Sequence, residues 1–253
     1  MVTLDLEGKR ALVTGGSRGV GRATALLLAR AGADVGITYR ARREEAEAVV
    51  ADIERLGRRA WAEGGDLTDP EFVERVFGRV DAIFDGLDVF VGNAGIWPPD
   101  HVPIERMEPE QWRRTLALNL DSVIRCTQEA ARRLGPGGRI VLIGSTAGQR
   151  GEAGHADYAA SKGAVMSFVK SVAVELAPRD ITVNCVAPGW IDTEMCEEPF
   201  SGGGRARIEA GIPLGRVASA EDVAGPIVFL CSRLARHVTG EVLNVNGGSV
   251  LCG

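Results

Sequence analysis

Leu12-Val13-Thr14-Gly15-Gly16-Ser17-Arg18-Gly19-Val20-Gly21 is the stretch on which the fold turns. It leaves a short β-rich run, Arg10–Thr14 (RALVT), and enters an amphipathic segment, Val20–Ala31. Glycines let a backbone turn sharply and approach a ligand closely, and a helix N-terminus offers free N–H groups with partial positive charge. A glycine turn between a strand and a helix is therefore a phosphate cradle by construction. Its spacing is neither GxGxxG nor a P-loop, because no Gly-Lys-Ser/Thr follows. Gly15-Gly16-Ser17-Arg18-Gly19 also fits G-x-S-x-G, the nucleophile elbow of α/β-hydrolases. Only 14 residues precede this turn, too few for an earlier strand–helix loop to supply a second oxyanion donor, and nothing marks His155 or His237 as a triad base.

Outward from the turn, short apolar runs alternate with longer helical patterns. Strands are expected at Arg10–Thr14, Asp34–Tyr39, Ala60–Glu63, Leu87–Val91, Arg139–Gly144, Ile181–Ala187 and Glu241–Val245. Helices are expected at Val20–Ala31, Arg42–Leu56, Pro70–Phe84, Pro109–Leu134, Tyr158–Leu176 and Glu221–Ser232. Ser219 with Asp222 reads as a helix start, and Gly32 and Gly57 as helix stops. Near-continuous apolar strands in strict alternation with helices imply a parallel sheet covered on both faces. No linker or repeat divides the chain, so residues 1–253 are read as one domain. The segment 188–215 lacks clear periodicity, contains Gly202-Gly203-Gly204, and follows the carboxyl end of a strand, where open parallel sheets bind ligands. It reads as a substrate-binding lid.

Composition limits the partners. The chain has 253 residues, with 29 Lys+Arg against 34 Asp+Glu and a net charge of −5. That mildly acidic, mixed-sign balance argues against nucleic acid as a partner. Apolar runs such as Ala25–Ala29 are far shorter than the roughly 20 residues that cross a bilayer, so no membrane partner is expected. Asp5 and Glu7 interrupt the N-terminal stretch that a signal peptide would need apolar. Five scattered cysteines without a CxxC, and three histidines, make no metal site and fit reduced thiols of a cytoplasmic protein. Cys252, second from the end, does not form a prenylation box.

Taken together, Thr14–Gly21 (TGxxxGxG), Asn93-Ala94-Gly95, Asn119, Ser145, Tyr158-x-x-x-Lys162, Pro188-Gly189 and Thr193 resemble the short-chain dehydrogenase/reductase family over residues 9–248. The general look, including Val245-Asn246-Gly247-Gly248, is most similar to its 3-oxoacyl-(acyl-carrier-protein) reductases. The resemblance implies an α/β fold: a single doubly wound Rossmann-type domain whose seven-stranded parallel sheet has the order 3-2-1-4-5-6-7, with helices on both faces. It also implies hydride transfer between a nicotinamide cofactor and an alcohol or carbonyl. In family terms Tyr158 is the general acid, Lys162 also holds the nicotinamide ribose, Ser145 bonds the substrate oxygen, and Asn119 anchors a water in a proton relay. The chemistry fits. Hydride delivery to a ketone builds charge on oxygen and requires a proton there. An ammonium about 4 Å from a phenol contributes roughly 4 kcal/mol, enough to move its pKa of about 10 towards neutrality.

Cofactor contacts are expected from Gly15, Ser17, Arg18, Gly19, Val20, Gly21, Tyr39, Arg40, Asp66, Leu67, Asn93, Ala94, Gly95, Tyr158, Lys162, Pro188, Gly189, Ile191 and Thr193. Within the family an acidic residue closing the second strand binds the ribose of NAD. Here Tyr39 and Arg40 stand there, so Arg18 and Arg40 are expected to grip a 2′-phosphate and the cofactor is read as NADP(H), with NAD(H) as the alternative. Arg40, Arg42 and Arg43 crowd a helix N-terminus, where cations are disfavoured unless an anion is near. Asp66 is expected to accept from the adenine amino group. Trp97, Ser145, Gln149, His155, Trp190 and Met195 are expected to line the substrate pocket. The substrate is then a small-molecule or carrier-bound carbonyl, with Arg132, Arg133 and Arg179 as a landing patch for an acidic carrier. A dehydrogenase of small free alcohols or ketones and a non-catalytic dinucleotide sensor are the alternatives. The resemblance further suggests a homotetramer built on the helices near 109–134 and 155–178, and the apolar tail Val250-Leu251-Cys252 suggests a buried end.

Overall fold

The computed structural model describes residues 4–251. Seven parallel strands, β1 (Arg10–Val13), β2 (Asp34–Tyr39), β3 (Ala60–Gly64), β4 (Leu87–Gly92), β5 (Leu134–Ile143), β6 (Thr182–Pro188) and β7 (Val242–Val245), form one sheet in the order β3-β2-β1-β4-β5-β6-β7. Strand order reverses between β1 and β4, which places a crevice at their carboxyl ends.

The apolar strands are explained by burial on both faces. Leu12, Phe90, Ile140, Leu142 and Cys185 point into one core, with α3 (Pro70–Phe84), α5 (Ser122–Arg133) and α7 (Ala156–Leu176). Their neighbours Ala11, Val13, Val89, Val91, Val141 and Val186 point into the other, with α1 (Gly19–Arg30), α2 (Arg43–Arg55) and α10 (Ala220–Cys231). A period of two thus divides each run between two helical layers. On α3, Phe72, Val73, Val76, Phe77, Val80 and Phe84 recur at helical spacing and are all buried, and burying each such side chain contributes about 1.5–3 kcal/mol. Asp69 caps the helix, accepting from the Glu71 amide at 2.9 Å, and Pro70 opens it. Ser219 and Asp222 form a reciprocal capping box on α10, as their spacing predicts.

The single helix expected over Pro109–Leu134 is three pieces. α4 (Pro109–Leu116) runs into a π-helical turn, Ala117–Asp121, and then into α5. Leu134 begins β5 instead of ending a helix, because it pairs with Leu87 ahead of a register shift in the β4–β5 ladder. The π turn carries Asn119, which is wholly buried. Two short helices follow within the segment read as a lid, α8 (Glu197–Phe200) and α9 (Gly204–Ala210), while α6 (Thr146–Arg150) sits just after β5. Leu251 is exposed on this chain, and Cys252 lies outside the described residues.

Candidate active site

A cleft of about 800 Å³ runs along the carboxyl ends of β1, β2, β4, β5 and β6. Its floor at one end is the glycine turn. The Asn93 side chain donates to the Thr14 and Gly15 carbonyls at 2.9 and 3.2 Å, and the Thr14 hydroxyl accepts from the Asn93 and Ala94 amides at 3.0 Å each. The Thr38 hydroxyl, at the end of β2, accepts from the Gly15 amide at 3.2 Å. Gly21 lies under this turn: a Cβ there would sit 2.2 Å from the Gly15 carbonyl oxygen, so only glycine fits. Among the described residues, no histidine lines the cleft beside Ser17, the serine of the alternative nucleophile elbow, so no triad base reaches it.

The N-terminus of α1 has no side-chain cap and no acid in its first turn. Its N–H groups open on the cleft beside the guanidiniums of Arg18, Arg40 and Arg42. An uncapped twelve-residue helix with three cations at its mouth fits the phosphates of a dinucleotide.

At the other end three elements bring the chemistry together. Ser145 lies two residues past the end of β5 and caps α6, accepting from the Ala147 amide at 3.1 Å. Tyr158 lies in the first turn of α7, with Lys162 one turn later on the same face. The two helices can approach because Gly148 faces Gly163: a Cβ on Gly148 would meet the Gly163 amide nitrogen at 2.6 Å. The Ser145 hydroxyl and the Tyr158 phenol are thereby brought to the same stretch of the cleft wall. Lys162 is buried, donates to the Ile143 carbonyl at 2.8 Å, and holds its Nζ 5.9 Å from the Tyr158 ring centroid.

This geometry revises the expected acidity. Burial pushes the Tyr158 phenol up to about 12, outweighing the nearby Ser145 hydroxyl that draws it down, and burial lowers Lys162 to about 8. The phenol is held away from neutrality by burial, while Lys162 directs its Nζ to the Ile143 carbonyl. A phenol held protonated is nonetheless the form a proton donor needs.

Every residue expected to touch the cofactor lines the cleft, as do Trp97, Trp190 and Met195 of the expected substrate pocket. Asn119 does not. It is sealed behind the wall, accepting from the Ile96 amide at 2.9 Å and donating to the Ile96 carbonyl at 2.8 Å and the Ser161 hydroxyl at 3.3 Å. Gln149 also turns away, donating to Asn244 at 2.5 Å. His155 stacks behind Trp97, with ring centroids 4.5 Å apart, and is buried. Neither of these two side chains lines the cleft, since each is occupied in packing against the scaffold.

Other expectations shift similarly. Arg40 and Asp66 pair with each other at 3.1 Å, and the same Asp66 accepts from the Thr68 amide and hydroxyl. The guanidiniums that converge are those of Arg18 and Arg42, at 2.5 and 2.6 Å from one oxygen of Glu194. Arg133 pairs with Asp81 and Glu129, Arg132 with Glu129, and Arg179 donates to the Ala131 and Leu134 carbonyls, so the expected carrier patch is engaged internally. Glu152, Glu194 and Phe200 carried no local signal. Glu152 accepts from the Trp97 indole at 3.3 Å, and Phe200 extends the aromatic wall from Trp97 through Trp190.

The family model described as Enoyl-(Acyl carrier protein) reductase matches residues 15–249, nearly the whole of the sheet and both ends of the cleft. The chain belongs to the short-chain dehydrogenase/reductase family. It is an NAD(P)-dependent oxidoreductase of that family. It is 42% identical over 247 residues to 3-oxoacyl-(acyl-carrier-protein) reductase FabG of Escherichia coli, covering 97% of this chain and 98% of that one. The FabG of Aquifex aeolicus is 41% identical over 248 residues, with the same coverage. Among solved family structures, a short-chain dehydrogenase from Burkholderia cenocepacia in complex with NADP superposes with a TM-score of 0.91 at 43% identity, covering 96% of this chain and 98% of that one. No helix among the described residues is long and apolar enough to cross a membrane.

Proposed function

We propose that this enzyme uses NADPH to reduce the ketone of a 3-oxoacyl thioester to the secondary alcohol. The observation that carries the proposal is the meeting of Tyr158, Ser145 and Lys162 on one wall of a cleft whose far end is lined by guanidiniums and by the uncapped N-terminus of α1. When bound, the dihydronicotinamide supplies a hydride to the carbonyl carbon. The chain's own residues manage the oxygen. Ser145 and Tyr158 hydrogen-bond it, and as the carbonyl π pair moves onto oxygen the phenol gives up its proton there. Lys162, one turn along α7, stabilises the phenolate that remains until solvent restores its proton. Asn119 acts as a positioning residue, fixing the Ile96 backbone beside the cleft.

Arg18 and Arg42 support NADP(H) over NAD(H), since two guanidiniums suit a 2′-phosphate, and the NADP-bound relative from Burkholderia cenocepacia supports the same choice. Trp97, Trp190 and Phe200 form an apolar wall suited to an acyl chain, and the FabG relatives support a carrier-bound substrate. The segment 188–215 serves as the lid, because Trp190, Met195 and Glu194 all reach the cleft from it. Exposed Trp112 on α4 and Val174 on α7 support assembly through these helices into a homotetramer. The buried thiols Cys126, Cys185 and Cys231 are pushed up to about 12, 11 and 12 by burial, which suits inert core thiols in a cytoplasmic protein.

The test is NADPH oxidation with acetoacetyl thioesters, a trans-2-enoyl thioester and free ketones, repeated with NADH. Turnover confined to the keto thioesters supports the reading. Turnover of the enoyl thioester alone would replace it with double-bond reduction. Tyr158→Phe should lose about 10²–10⁴-fold in kcat, with NADPH affinity kept within a few-fold; undiminished kcat removes the phenol from the reaction.

A further inference from the structure

Glu194 follows Thr193 on the segment leaving β6, yet its carboxylate lies across the cleft. One of its oxygens accepts from Arg18 of the glycine turn at 2.5 Å and from Arg42 at the head of α2 at 2.6 Å. The two arginines lie 176 and 152 residues earlier in the chain. This contact is the closing point of a strap. The root of the strap is fixed by the Asp192 amide donating to the Ala218 carbonyl at 2.8 Å and by the Arg205–Asp192 pair at 2.8 Å. Thr193 packs onto the turn itself, with its Cγ2 3.4 Å from where a Cβ on Gly19 would stand. All three partners are about half-exposed, so the ion pairs can exchange with solvent anions.

We infer that Glu194 is a specificity-determining residue: its carboxylate occupies the anion site that the 2′-phosphate of NADPH would take on Arg18 and Arg42. A carboxylate carries one negative charge, whereas a 2′-phosphate carries between one and two and has three acceptor oxygens. The phosphate therefore displaces Glu194, and the strap opens from its root as the dinucleotide enters. NADH brings only a hydroxyl to that place and leaves the ion pairs closed. Glu194 thus narrows the advantage of NADPH over NADH and ties strap opening to the phosphate. Arg42 keeps a second partner, Glu45, at 2.9 Å on its own helix, so its guanidinium stays at the site when Glu194 leaves.

This inference rests on the NADPH reading above, and two sets of variants separate them. NADPH and NADH dissociation constants would be measured by fluorescence titration. In Glu194→Gln, NADPH should bind about three- to tenfold more tightly, the range set by the worth of exposed ion pairs, while NADH stays within twofold. In Arg18→Ala/Arg42→Ala, NADPH should weaken far more than NADH, and adding Glu194→Gln should then change nothing further. Equal loss of both dinucleotides in the arginine variant refutes the phosphate reading. NADPH affinity unchanged or weakened in Glu194→Gln, or NADH tightened as much as NADPH, refutes the role of Glu194 alone.

Discussion

Replacing Lys162 by Met should reshape the pH dependence of reduction as well as its rate. The Nζ lies 5.9 Å from the Tyr158 ring centroid. At an effective dielectric near 20, an ammonium within about 6 Å of the phenolate formed in the reaction attracts it by about 3 kcal/mol. Its loss corresponds to about 100-fold in rate. The ammonium contributes only while charged. Burial lowers Lys162 to about 8, so it is cationic below that pH and neutral above, whereas the phenol at about 12 stays protonated throughout. Wild-type kcat/KM for an acetoacetyl thioester, measured by NADPH oxidation between pH 6 and 10, should be level in acid and fall tenfold per unit above about 8. Lys162→Met should be about 100-fold slower at pH 6 and flat, so that the two curves meet near pH 10. Parallel curves, or a variant still falling above pH 8, would show that another group titrates and that the charge on Lys162 is not what stabilises the phenolate.

Three further outcomes follow from packing. Gly21→Ala should lose dinucleotide binding by more than about tenfold in a fluorescence titration, because its Cβ would collide with the Gly15 carbonyl under the phosphate turn. Asn119→Ala should destabilise the protein by about 2–3 kcal/mol in urea unfolding, since it removes the hydrogen bonds that this buried side chain makes to the Ile96 amide and carbonyl and to the Ser161 hydroxyl. Ser219→Ala should cost about 1 kcal/mol by the same measurement, through the lost capping box of α10, with kcat unchanged.

Much of this molecule was legible along the chain. The strands β2 and helix α3 stand at their expected bounds because each is specified locally, by an apolar run in one case and by Asp69-Pro70 and a helical apolar stripe in the other. The π turn at Asn119 was not legible, since one extra residue in a helical turn leaves the hydrophobic period almost untouched. Gln149 and His155 lie in the right stretch for the pocket, but which way their side chains face depends on Asn244 and Trp97, distant in sequence.

The sequence by itself determined the alternation of strands and helices, the glycine turn, and the Tyr158–Lys162 pair, because chain geometry over a few residues fixes each of them. Only the tertiary structure decided that Arg42 and not Arg40 joins Arg18, that Arg40 turns to Asp66, and that Glu194 crosses the cleft to meet the first two. The acidity of Tyr158 belongs there too, since burial by surrounding elements is what raises it. Side chains this far apart in sequence leave no spacing to read, and their pairing and desolvation exist only once the sheet has brought its strand ends to one edge.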